Sequence, residues 1–204
     1  MRLHRIGKEY EERVTLQTRF FPLELLLPGG PSRLLLEQEW WLAAIQEPNA
    51  AFAPYPDGDW PTTTLPAFDA AWAARNQGHA VGMDFDLRIR RAFFGEGRNI
   101  GRTEVLLDIA REASLDLSQF QQDVASQEAR GAVLEESRIG REQFHVGGTP
   151  TLTLADGTHL KLPIAFPRIR AHRIVGIAPL ECAGDACSDA MRALFERALV
   201  GVQP

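Results

Sequence analysis

Cysteine is nearly absent: the 204 residues hold two, Cys182 and Cys187. A pair so sparse and so late is not the disulfide framework that a small secreted domain needs, so a reducing compartment is expected. Long apolar runs are missing as well. No window holds about eighteen apolar residues in succession. The opening Met1-Arg2-Leu3-His4-Arg5-Ile6 has neither the apolar core nor the small-residue cleavage site of a secretory signal. Both absences argue against a membrane partner and make a cytoplasmic location the expectation. Concentrated positive charge is also lacking. The formal net charge is −5, and Lys and Arg are interleaved with acids, so nucleic acid is not an expected partner. The exception is Arg168, Arg170, His172 and Arg173, which reads as a solvated loop.

What is present is an ordinary globular composition, 45% hydrophobic and 24% charged. That suits one domain, or one domain carrying a large insertion. Residues 2–12 place Leu3, Ile6 and Tyr10 at helical spacing. Val14 to Phe21 reads as a strand with Val14, Leu16, Thr18 and Phe20 on one face, ended by Pro22. From 32 to 143 the periodic segments are helical: a helix capped by Ser32 and running through Trp40, Trp41 and Ile45, then Leu65 to about Gln77 capped by Thr64, then 79–94, Thr103–Ala113, Ser118–Ala125 and about 127–143. The proline-rich stretch 47–62 is a loop. After His145 the period changes. Pro150–Leu154 and Thr158–Leu162 read as a hairpin around Ala155-Asp156-Gly157. A less regular stretch over 163–181 leads to a last amphipathic helix, Ser188 to about Val200.

A strand, a helical block, a hairpin and a closing helix make an α/β thioredoxin-like fold with an inserted all-helical subdomain. The domain reading is 1–31 with 144–204 for the thioredoxin-like part, its first strand missing, and 32–143 for the insertion. Four stretches resemble the DsbA-like family, in particular its branch of FrnE-like proteins and 2-hydroxychromene-2-carboxylate isomerases: 14–23, Thr64-Leu65-Pro66-Ala67, 91–100 and Val146-Gly147-Gly148-Thr149-Pro150-Thr151. The resemblance implies a cis peptide bond before Pro150. It also implies a groove in which Thr149 offers its backbone N–H and C=O to a substrate chain, with Gly148 and His145 beside it. An ordinary trans proline opening an edge strand is the other reading of Pro150. Phe93-Phe94-Gly95-Glu96-Gly97 reads as core packing followed by a helix cap.

The resemblance also implies a Cys-x-x-Cys at the end of a first strand, where a helix N-terminus stabilises the thiolate. No cysteine precedes residue 182. The expectation is a truncated or mis-set start, with a protein that naturally lacks the segment as the alternative, and a sheet edge left open or covered by something else. Such an edge admits a homodimer. Three functions stand: thiol–disulfide oxidoreductase acting on a protein or small thiol, impaired at the usual centre; isomerase using glutathione, which is the one cofactor the resemblance brings in; or non-catalytic dimeric binding module. Cys182 and Cys187, in a C-x4-C before the last helix, are a reversible disulfide, two inert thiols, or a metal site with His172. The histidines alone make no metal-ligand spacing, and no metal is expected.

Overall fold

The computed structural model describes residues 2–26, 32–171, 173–179, 182 and 185–200. The chain groups into two compact units, one of Met1–Gln17, Arg33–Asn49 and Val146–Pro204, the other of Thr18–Ser32 and Ala50–His145. These divisions fall elsewhere than the 31/32 and 143/144 boundaries drawn from periodicity, chiefly because the helix at 33–46 groups with the first unit.

In the first unit, α1 (Arg2–Glu9) and α8 (Asp185–Val200) enclose a small core. Ile6, Tyr10, Met191 and Phe195 are buried there, with Leu3, Val14, Leu162, Leu194 and Leu199 packed around them. The Tyr10 and Phe195 rings stack at 4.9 Å. Outside the core, Arg192 reaches both carboxylate oxygens of Glu9, at 2.7 and 2.9 Å. α2 (Arg33–Gln46) completes the helices of this unit. Its strands form two separate antiparallel ribbons, β1 (Leu152–Thr153) with β2 (His159–Leu160), and β3 (Pro167–Arg170) with β4 (Arg173–Ile177). The turn of the first ribbon is the expected Asp-Gly one. Gly157 takes a φ of +86°, its N–H reaches Leu154 O at 3.0 Å, and Asp156 Oδ1 accepts the Thr158 N–H at 2.8 Å.

The second unit is helical: α3 (Leu65–Asn76), α4 (His79–Glu96), α5 (Thr103–Glu112), α6 (Leu117–Ala125) and α7 (Gln127–Glu142). α3 is the hub, touched by each of the other four. Its buried residues Ala67, Ala70, Ala71, Ala73 and Ala74 have side chains small enough for neighbouring backbones to come close. At the closest approach an added Cβ on Gly82 of α4 would lie 2.7 Å from the Arg75 Cα of α3. Gly82→Ala must therefore push two helix backbones apart. The expected result is a loss of about 1–3 kcal/mol in urea denaturation. A loss within a few tenths would show that the α3–α4 contact is looser than described. Phe93 packs against Tyr55 and Trp60, both ring centroids 5.3 Å away, and Gly97 ends α4 in the left-handed conformation, as the core-and-cap reading of 93–97 requires.

Two expectations are corrected. Residues 14–20 keep their period-two burial, with Val14, Leu16 and Thr18 half-buried, Phe20 buried and Thr15, Gln17 and Arg19 exposed. Yet no strand pairs with them among the described residues. Side chains take backbone groups that a ladder partner would use: Glu136 Oε2 accepts the Phe20 N–H at 2.9 Å, and Arg75 Nη1 donates to Thr18 O at 3.2 Å. The second correction lies in 163–181, where β3 and β4 make a hairpin in place of an irregular stretch, so Arg168, Arg170 and Arg173 stand on strands. His172 lies outside the described residues.

Candidate functional site

The two cysteines meet. Cys182 and Cys187 are bonded, S–S 2.04 Å with Cα atoms 5.1 Å apart, and among the described residues no cysteine is free. Local sequence explains the approach. Cys187 is the third residue of α8, so it sits in the first turn, and five positions separate it from Cys182. Cys187 is buried and Cys182 half-buried, so Cys182 is the more accessible sulfur of the two. Cys182 Sγ lies 3.9 Å from the Pro163 carbonyl oxygen.

The Thr149–Pro150 peptide bond is cis. Both residues are exposed, and Gly148 beside them is half-buried. The loop is held from within by Thr151 Oγ1, which donates to Gly148 O at 2.7 Å. A Cβ on Gly147 or Gly148 would meet nothing within 4 Å. His145 is exposed and takes a φ of +50°, three residues past the last residue of α7. The metal reading of the cysteines depended on His172, outside the described residues. Among those described no group of three or more His, Cys, Asp or Glu can hold an ion. No described helix is long and apolar enough to cross a membrane.

Against this geometry the likenesses to known proteins can be placed. A family model described as Thioredoxin matches residues 60–164, just over half of the chain. The chain belongs to this thioredoxin family. Among curated proteins it is similar to the ClpXP adapter protein SpxH of Bacillus subtilis (strain 168), 38% identical over 98 residues that make up 46% of this chain and 32% of that protein. The SpxH of Bacillus licheniformis is 35% identical over 94 residues, 44% of this chain and 31% of that one. The chain thus spans about a third of the length of the curated relatives it matches. Among solved structures, a candidate protein disulfide isomerase from Nitrosomonas europaea superposes with a TM-score of 0.66 at 17% identity, covering 99% of this chain and 90% of that one. The cytosolic disulfide reductase DsbM from Pseudomonas aeruginosa superposes with a TM-score of 0.60 at 17% identity, over 98% and 91%. The fold is a thioredoxin-like α/β fold with a helical insert.

Sequence reasoning missed the polar anchors of the β3–β4 ribbon. Gln38 Oε1 accepts the Ile174 N–H at 3.1 Å, and Gln46 pairs both ways with the Ala165 backbone, at 3.0 and 2.7 Å. The available signal was the alternation of Arg168, Ile169 and Arg170, broken by a two-residue turn.

Proposed function

We propose that this thioredoxin-fold chain performs thiol–disulfide exchange through Cys182 and Cys187, on a polypeptide laid in extended form along the Thr149–Pro150 loop. The observation that carries the reading is the bonded cysteine pair with one buried and one half-buried sulfur. An incoming substrate thiolate attacks Cys182 Sγ. A new bond joins the two sulfurs, the Cys182–Cys187 bond breaks, and its electron pair leaves on Cys187 Sγ in the first turn of α8. The substrate's second thiolate then attacks its own sulfur in the mixed disulfide and expels Cys182. The substrate leaves as a disulfide, two electrons have passed to the cysteine pair, and two protons are distributed between the protein thiols and solvent. A low-molecular-weight disulfide such as oxidised glutathione restores the pair by the same steps in reverse. The reduced Cys182 thiol has an acceptor nearby in the Pro163 carbonyl.

The exposed cis loop supports the binding half of the reading. Thr149 precedes the cis bond and is exposed, so its backbone groups can pair with an extended chain. Gly148 and His145 border that segment in sequence. The cysteine pair favours a FrnE-like oxidoreductase in the cytoplasm over the glutathione-dependent isomerase, which needs no cysteine pair. A second reading, a protein-holding module able to form a homodimer, draws support from the SpxH relatives, which are named as adapters. The two part in one assay. The oxidised chain is expected to oxidise a dithiol peptide stoichiometrically in one turnover, and Cys182→Ser/Cys187→Ser to fall to the uncatalysed rate. If the double variant keeps the wild-type rate, exchange through this pair is excluded.

A further inference from the structure

Exposed apolar side chains collect on two neighbouring elements of the first unit. On α2, Leu34, Trp41 and Ile45 are 57%, 69% and 67% exposed, and their spacing of seven and four sets them on one helix face. The β3–β4 ribbon, tied to α2 by Gln38 and Gln46, adds Ile169, Val175 and Ile177. The same ribbon carries three exposed guanidinium groups, Arg168, Arg170 and Arg173, for which no ion pair occurs among the described residues. Elsewhere arginine is usually matched: Arg130 binds Asp69, Arg138 binds Glu135 and Glu142, and Arg192 binds Glu9 and Asp189. Arg170 and Arg173 face each other directly across the ladder, a like-charge pairing that costs stability unless an anion lies over it.

The edges of the ribbon are not equivalent. The Ile174 N–H of β4 points away from β3 and is taken by Gln38, so α2 occupies that edge. β3 has a strand neighbour on the β4 side alone among the described residues. We propose that β3 is a docking edge for an extended segment of a partner protein that is both acidic and apolar. The segment adds as a third strand, sets carboxylates against Arg168, Arg170 and Arg173, and lays apolar side chains against Ile169. Charge complementarity decides for this occupant. In a membrane-inserted hairpin the tip would enter first, and here the tip is flanked by Arg170 and Arg173. Nucleic acid is disfavoured because the chain is net acidic.

The test uses the full chain and a labelled twelve-residue peptide alternating Glu and Val, followed by fluorescence anisotropy. A Lys-for-Glu peptide, a Ser-for-Val peptide, phosphatidylserine vesicles and single-stranded DNA serve as competing probes. The expected result is binding of the Glu/Val peptide that weakens at least tenfold in Arg170→Glu/Arg173→Glu and is largely kept in Arg170→Lys/Arg173→Lys. The Ile169 amide of the wild type should also become protected from hydrogen exchange when peptide is added. Equal binding of the acidic and basic peptides, an unchanged charge-reversed variant, an unprotected Ile169 amide, or arginine-dependent binding confined to vesicles or DNA would each overturn the proposal.

Discussion

Phe85→Ala is expected to lower the unfolding free energy by about 3–5 kcal/mol, the range for emptying a fully buried aromatic site. Phe85 has no exposed surface and meets the equally buried Phe120 edge-on, centroids 5.4 Å apart, so one ring joins α4 to α6. Two costs add. The ring's burial is lost, and the surrounding helices can collapse only partly into the space it leaves. Against a total stability of about 5–15 kcal/mol for an ordinary domain, this is a large share. Phe85→Leu, which refills most of the volume, should cost roughly 1–1.5 kcal/mol. Urea denaturation with an unchanged m-value reads both, and a loss under about 1 kcal/mol for the alanine variant would mean the site is not the packed centre of the helical unit.

Glu136→Ala is the second large effect. Its carboxylate, with a side chain only 12% exposed, accepts from Arg75 Nη2 at 2.6 Å and from the Phe20 N–H at 2.9 Å. Arg75 in turn lies 4.4 Å over the Phe20 ring. Removing the carboxylate strands a partly buried cation and a backbone donor together. For a fully buried pair the loss would be about 3–5 kcal/mol. Arg75 keeps some contact with water, which reduces the expectation to about 2–3 kcal/mol. Glu136→Gln retains an acceptor for Phe20 and should lose roughly half as much. A double-mutant cycle with Arg75→Ala should show a coupling of at least about 1 kcal/mol. If Glu136→Ala is neutral, extended residues 14–20 are not held by side chains in place of a ladder.

That substitution of side chains for a strand partner is what the sequence could not disclose. Alternation along 14–20 depends on which faces are buried, and it survives intact, whereas a ladder depends on a distant neighbour. The helices were legible because each carries its own period and stops, such as Pro66 in the first turn of α3 and Gly97 after α4, whereas the Asp116 cap that starts α6 ahead of Ser118 went unread. The cis bond at Pro150 was legible through family likeness rather than physics. The β3–β4 hairpin was hidden by its own composition, since arginines on strands look like a solvated loop until Gln38 and Gln46 of a remote helix are seen to hold it. The spacing of Cys182 and Cys187 left a disulfide, two inert thiols and a metal site open; the bond between them and their difference in burial required the fold.

The most direct measurement is to charge Cys182 of Cys187→Ser as a mixed disulfide with glutathione, add one equivalent of a peptide carrying a single thiol, quench with acid, and locate the new mixed disulfide by mass spectrometry of the digested protein. Exchange through this pair predicts that the peptide replaces glutathione on Cys182, and that the native pair cycles between disulfide and dithiol in a glutathione buffer while the chain stays folded. A pair that resists reduction until the chain unfolds, or peptide oxidation that proceeds equally well in Cys182→Ser/Cys187→Ser, would contradict it.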